Sequence, residues 1–205
     1  YSKLRGVTGS TPNTTGYREP DLVTYYDTQS QYYEVLAGSA QDMAQDMVDE
    51  YQATYESIKK YDGFYIGRFE LTGTVQNPTV QKGEPVLTNQ NWYQLKKACT
   101  NIVTESEEYE AQSIMIYGNQ WDEVMRWLES SGYNTSDSRS WGNYNNSTGN
   151  ATEGSGTYRP SGYNEAWQAN NIYDLAGNCY DWTQEARNPN IRLLRGGSYN
   201  GSGST

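Results

Sequence analysis

Apolar residues recur with a helical period in three places along the chain. Met43, Met47, Tyr51, Tyr55 and Ile58 follow one another at spacings of four, four, four and three, which lines one face of a helix. Ser39 with Asp42 three residues later forms a capping-box-like start, and Gly63 marks the end. A Met stripe at this spacing predicts core packing rather than a cofactor site. Trp92, Leu95, Ala98 and Ile102 predict a second helix capped by Thr88, and Trp121, Val124 and Leu128 a third that stops at Gly132. Between them, Phe64 to Leu71 and Ile114 to Tyr117 have the composition and length of strands.

The rest of the chain is polar. Tyr1 to about Ser39 shows no sustained period and is expected to be extended and irregular. Ser131 to Tyr163 is dominated by Ser, Gly, Asn, Thr and Tyr and predicts a long surface excursion with little regular structure. Asn13, Asn134, Asn145, Asn146 and Asn150 each begin an Asn-x-Ser/Thr triplet, a pattern that arises by chance in such composition.

Composition narrows the chemistry. The 205 residues include no His, which removes Ser-His-Asp and Cys-His nucleophile pairs, His-bound metals and imidazole proton shuttles. With 15 Lys and Arg against 25 Asp and Glu the formal charge is -10, which repels phosphate backbones and anionic lipid, so neither nucleic acid nor a membrane surface is an expected partner. Mean hydropathy of -0.93 leans toward disorder, but 14% aromatic residues, Tyr 20 and Trp 6 among them, indicate a packed fold. Cys99 and Cys179 are too few for a disulfide framework or a thiolate cage. No run reaches the roughly 20 apolar residues of a membrane span. The first residue is Tyr and the last residues are a Gly-Ser run, so both ends are read as trimmed.

The most informative stretch is Asn171-Ile-Tyr-Asp-Leu-Ala-Gly-Asn-Cys-Tyr-Asp-Trp-Thr183, followed by Arg192-Leu-Leu-Arg-Gly-Gly-Ser-Tyr199. Asp174 and Asp181 flank the Gly177-Asn178 turn, so two carboxylates and several main-chain carbonyls can converge as a Ca²⁺ site. The spacing by itself favours the alternative, a turn whose Asp side chains cap backbone N–H groups. Trp92, Trp121, Trp127 and Trp182 are read as core before they are read as sugar-stacking platforms. Carboxylate pairs suited to a glycosidase arise by chance in a chain with 25 of them.

These two motifs, with Gly63-Phe-Tyr-Ile-Gly-Arg-Phe-Glu-Leu71 before them, resemble the three signature segments of the formylglycine-generating, or sulfatase-modifying-factor, family, in the family's order. The resemblance covers residues 63–205 and leaves 1–62 as an irregular extension plus a helix packing on the domain. It implies an α+β, C-type-lectin-like fold with a small twisted sheet, two or three helices and long loops. It also implies a Ca²⁺ site formed by the side chains of Asp174 and Asp181 with the carbonyls of Gly177 and Cys179. The family usually has Glu where this chain has Asp181.

The family's activity does not carry over on these residues. Its enzymes hold copper and do redox chemistry with two cysteines shortly after the Arg-Gly-Gly-Ser-aromatic sequence. The first matching position is Gly201 and the second falls just past Thr205, so no copper is expected. Iron-dependent relatives need His ligands, which this chain lacks. Tyr199, Asn200, Ser202 and Ser204 instead alternate with Gly and have the composition of adaptable recognition loops. Their placement resembles that of retroelement-diversified variable proteins, which share the fold and vary after the Arg-Gly-Gly motif. The residues Gly16 to Asp21, Gly118 to Leu128 and Ser140 to Tyr144 add a resemblance to bacterial and phage surface proteins that often carry a prepilin-like N-terminal anchor. The expected function is therefore a displayed ligand-binding or adhesion protein, outside the cell or on a virion, with a protein or glycan ligand. A divergent oxidase and a purely structural surface component are the alternatives, and an ordinary disordered Gly-Ser end is the competing reading of residues 199–205.

Overall fold

The computed structural model describes residues 31–102 and 111–204. The expected irregularity of residues 1–30, with Asn13 and the Gly16 to Asp21 segment, lies outside the described residues.

Helix α1 spans Ala40–Tyr61. The Ser39 side chain accepts from the Asp42 backbone N–H and donates back to the Asp42 carboxylate at 2.7 Å, and Asp62 ends the helix in the left-handed region. Met43, Met47 and Tyr51 are buried as the stripe predicts. Helix α2 (Trp92–Thr100) begins three residues later than expected. Its cap is Asn91, which exchanges a capping box with Gln94, because Asn89 sits at φ 59° and takes Thr88 out of the helical path. Helix α3 (Gly118–Ser130) buries Trp121, Val124 and Leu128.

The β structure consists of three two-stranded antiparallel sheets: β1 (Thr72–Gly73) with β2 (Pro78–Thr79), β3 (Gln168–Ala169) with β4 (Ile172–Tyr173), and β5 (Asp181–Asn188) with β6 (Ile191–Arg195). The protein is thus a mixed α and β fold with three α-helices and small antiparallel sheets among the described residues.

Two expected strands are corrected. Phe64 to Leu71 forms no ladder: Arg68 O accepts from Tyr173 N, the Glu70 N–H donates to Ser161 Oγ, and Leu71 O accepts from Leu87 N. Its backbone groups are satisfied by β4 and by two separate loops. Ile114 to Tyr117 is likewise not a strand, although Ile116 O accepts from Gln184 N on β5.

Two clusters make the core. Met43, Ala44, Met47, Trp92 and Met115 pack between α1 and α2, with Trp182 and Cys99 at the edge. Trp121, Val124, Leu128, Trp141, Tyr144, Ile172 and Leu175 pack under α3. The second cluster corrects the expected surface excursion at 131–163. That stretch is irregular, as expected, but Trp141, Tyr144, Ala151, Asn143 and Ser161 are buried. Of the four tryptophans read as core from the sequence, Trp92 and Trp121 are core and Trp182 is half-buried, whereas Trp127 is 47% exposed.

A buried polar knot joins α1 to the remainder. Lys96 on α2 is 3% exposed and pairs with Glu50 on α1. Tyr117 Oη and Gln184 Nε2 both donate to Glu50 Oε1, at 2.9 and 2.8 Å. Burial lowers the Lys96 ammonium, and the Glu50 carboxylate opposes that shift. No helix among the described residues is long and apolar enough to cross a membrane.

Candidate functional site

The turn between β4 and β5 is built by residues that tolerate left-handed backbone. Asp174, Gly177 and Asn178 lie at φ 58°, 82° and 53°, which Asn, Asp and Gly adopt at lowest cost. Gly177 is required for a second reason: a Cβ there would stand 2.1 Å from Asn143 O. That close approach lets Gly177 N donate to Gly196 O at 2.8 Å and Asn178 N to Asn143 O at 2.9 Å.

Asn178 is the hub of the turn, and it is fully buried. Its Nδ2 donates to Glu70 Oε2 at 2.7 Å and to Arg159 O at 3.1 Å. Its Oδ1 accepts from Asn143 Nδ2 at 3.0 Å and Arg159 N at 3.1 Å. The side chain has thereby filled its hydrogen-bonding capacity.

Glu70, which Asn178 holds, feels the charges of two further carboxyl groups, Asp174 and Asp181. Asp174 is fully buried, and its Oδ2 accepts from Gly162 N at 2.6 Å and Ser161 Oγ at 3.2 Å. Capping of a backbone N–H is thus realised, although across the chain and not within the turn. Asp181 is half-buried as a residue, yet its Oδ2 is enclosed under Gly196, where a Cβ would lie 2.7 Å from it and 3.0 Å from Leu175 O. Asp174 Oδ1, Asp181 Oδ2 and Glu70 Oε1 are buried without a hydrogen-bond partner. Burial pushes Asp174 up to about 6. Burial, with the Asp174 charge adding to it, pushes Asp181 up to about 8. Glu70 is raised well above the usual carboxylate range by burial and by Asp174 and Asp181, against the opposing Asn178 amide and Cys179 N–H.

Enclosed oxygens that lack donors, on acids crowded by like charge, are the donor chemistry of a hard cation site. Among the described residues no group of three or more Asp, Glu, Cys and His side chains closes on one point, so a cation held here would need main-chain carbonyls as well. Gly177 and Cys179, the two carbonyl positions implied by the family resemblance, belong to this turn. Burial also raises both thiols, Cys99 up to about 12, and both cysteines are free.

Beyond β6 the chain runs over Tyr144. Gly196 and Gly197 have φ 77° and 81°, and Tyr144 Oη donates to Gly196 O at 2.7 Å. The residues that follow, as far as Ser204, are bonded to residues 137–146, which differs from the reading of a loose Gly-Ser end. Asn145 N donates to Gly201 O, Ser138 N to Gly203 O, and Asn145 Nδ2 to Asn200 O. Asn146 reaches across twice, donating to Ser202 Oγ at 2.8 Å and accepting from Gly203 N at 3.0 Å. Asn145 and Asn146 thus spend their side chains on this clamp.

The clamp fixes an alternation. Asn200, Ser202 and Ser204 are exposed, whereas Gly203 is buried against the Tyr144 ring and Gly201 rests on Ser198. Tyr199 is half-buried, with its N–H donating to Asn178 O. Beside this strip lies a cavity of about 350 Å³, walled by Trp121, Trp141, Tyr144, Arg195, Ser136 and Ser202. Arg195 is held from behind by the fully buried Glu185, which accepts from its Nε and Nη2.

The structure therefore places the expected residues in two adjoining groups: Asp174, Gly177, Cys179 and Asp181 at the turn, and Tyr199, Asn200, Ser202 and Ser204 on the strip. Asn178 O to Tyr199 N joins them. Sequence reasoning missed Glu70, Asn143 and Tyr144. Glu70 stood inside the opening motif, but neither asparagine nor tyrosine in an Asn- and Tyr-rich stretch carries a signal of burial. No protein-family model, no curated protein and no solved structure matches this chain.

Proposed function

We propose that the chain is a ligand-binding protein on a C-type-lectin-like scaffold of the formylglycine-generating type, and that it recognises its ligand without breaking a bond. The observation that carries this reading is the alternation at residues 200–204. Outward side chains at Asn200, Ser202 and Ser204 are separated by glycines that pack against Tyr144 and Ser198. Asn200 Oδ1 accepts from Ser198 Oγ at 2.7 Å and Ser202 Oγ accepts from Asn146 at 2.8 Å, so the strip is seated on the frame while its exposed side chains face outward, which suits recognition. Diversification by a retroelement at these positions, and display on a cell surface or virion, follow from the same reading.

On this account Ca²⁺ stiffens the frame, held by the Asp174 and Asp181 carboxylates with the Gly177 and Cys179 carbonyls. The enclosed oxygens of the two Asp side chains support this. Gly201 at the position of a copper-binding thiolate supports the absence of oxidase activity. Incubation with a Cys-type sulfatase peptide and copper is expected to form no formylglycine, and turnover would overturn that part.

The binding claim is tested with fluorescently labelled protein on intact bacterial and eukaryotic cells. Saturable binding to one surface is expected, weakened about tenfold or more by Asn200→Arg combined with Ser204→Arg. Equal binding by the folded double variant would move the contacts off this strip.

A further inference from the structure

The polar knot between α1, α2 and β5 holds more than an ion pair. Glu50 uses both oxygens of its carboxylate: Oε2 takes the Lys96 ammonium, and Oε1 accepts from Gln184 Nε2 at 2.8 Å. One acid thereby holds an amine and a carboxamide side by side, where Lys96 is buried and Gln184 is fully enclosed.

Gln184 is fixed from several directions. Its backbone N–H donates to Ile116 O at 3.0 Å, and its Nε2 donates a second time, to Met115 O at 2.8 Å. Trp92, at the start of α2, ties the same stretch of β5 to that helix through Nε1, which donates to Thr183 O at 3.0 Å. Hydrogen bonding accounts for the side-chain nitrogen but not for the oxygen, because Gln184 Oε1 is buried without a partner. The same burial keeps away water that would compete for the carboxamide carbon.

Lysine is a nucleophile only as the neutral amine. Burial lowers the Lys96 ammonium, and Glu50 is placed to take its proton. Cys99, one turn along the same helix, is no rival, because burial pushes its thiol up to about 12.

We propose that Lys96 and Gln184 join in a covalent isopeptide bond, with Glu50 as the acid–base group that carries protons between them. Lys96 Nζ passes one proton to Glu50 and attacks Gln184 Cδ, forming the N–C bond. Glu50 delivers that proton from Oε1 to Nε2, the Cδ–Nε2 bond breaks, and ammonia leaves. A second Nζ proton goes to Glu50 and on to the ammonia, so Glu50 ends as a carboxylate and ammonium departs. The exchange of one amide for another consumes no oxidant or co-reactant. The bond braces α2 against β5, and it stands independently of what the outward strip binds.

The test is the mass of the full chain after incubation at neutral pH, measured under denaturing conditions, with proteolytic mapping of the peptides that contain Lys96 and Gln184. A loss of one ammonia, located to a branched peptide that joins the two, is expected. Glu50→Gln keeps a hydrogen-bonding group but cannot carry the proton, and it should form the bond about a hundredfold more slowly. Lys96→Arg should not form it at all. Tyr117→Phe removes another bond to Glu50 without touching the reacting atoms, and should form it at close to the wild-type rate. The wild-type mass decides the bond without any variant: an unchanged mass, or an ammonia loss that maps to Asn200-Gly201 or elsewhere, would overturn it. A loss of water would do the same, since it marks Lys96 joined to Glu50 itself. Equal rates in wild type and Glu50→Gln, or an equal slowing in Tyr117→Phe, would reduce Glu50 to a structural role.

Discussion

Asn178 Nδ2 donates to Glu70 Oε2 at 2.7 Å, tying together residues 108 positions apart in the chain. The bond joins the turn that carries Asp174 and Asp181 to the irregular segment after Gly63, and Asn178 O also receives Tyr199 N. One asparagine thus sets the height of the turn against both the opening segment and the recognition strip.

Asn178→Ala strips partners from Glu70, Asn143 and two Arg159 backbone groups at once, at a left-handed position that Ala adopts poorly. The expected loss is about 3–5 kcal/mol in denaturant unfolding. Glu70→Gln mimics the neutral acid that burial favours and keeps an acceptor for Asn178 and Cys179, so its cost is expected to be below about 1.5 kcal/mol. Equal losses in the two variants would show that Glu70 is held as a charged group.

Asp174 and Asp181, raised to about 6 and about 8, make stability pH-dependent in a definite direction. The folded state holds their protons more tightly than the unfolded chain, whose Asp residues titrate near about 3.9. Without added metal, their contribution is therefore fully present below about pH 4 and is lost as pH rises through about 8. Saturating Ca²⁺ at pH 8 should restore stability, by about 2.7 kcal/mol when its concentration is a hundredfold above Kd, and should do little at pH 5, where protons compete. Identical melting temperatures with Ca²⁺ and with chelator at pH 8 would count against the cation site.

The frame and the strip should respond oppositely to substitution. Gly177→Ala drives a Cβ to 2.1 Å from Asn143 O at φ 82°, and Gly203→Ala drives one to 2.5 Å from the Tyr144 ring. Gly177→Ala is expected to cost more than about 3 kcal/mol, and Gly203→Ala about 1–3 kcal/mol because a ring can shift. Asn200→Ala and Ser204→Ala should stay within about 0.5 kcal/mol. Comparable losses on the two sets would show that the outward residues are structural.

Both thiols are raised by burial, so neither is a ready nucleophile. Titration with a disulfide reagent at pH 8 should find both Cys99 and Cys179 slow in the folded protein and fast in guanidinium. A rapid reaction of Cys179 without denaturant would reveal an access route into the turn.

The helices were legible because their signals are local: Ser39 with Asp42 caps α1, and the Met43, Met47, Tyr51 stripe buries as its period requires. Asp174 and Asp181 were visible because a Gly-Asn turn announces itself. What was illegible depends on distant partners. Phe64 to Leu71 has strand composition, yet its carbonyls and N–H groups find Tyr173 on β4 and Ser161 and Leu87 in separate loops, so no ladder forms. Asn143 and Asn178 are buried because they satisfy one another and the neighbouring backbone, and Tyr144 because its hydroxyl finds Gly196 O and Ser138, and an isolated Asn or Tyr in a polar run looks the same whether it is solvated or enclosed. Thr88 was a plausible cap by type, and Asn91 prevailed through its reciprocal bond with Gln94.

The claim that the outward strip carries recognition is tested most directly by sequencing the encoding locus across many isolates. The account predicts substitutions concentrated at positions 199, 200, 202 and 204, a nearby reverse transcriptase gene with a template repeat that differs at adenines, and fixed glycines at 177, 196, 197, 201 and 203. Invariant residues at 199, 200, 202 and 204, or changes spread evenly over the strip and the glycines beneath it, would contradict it.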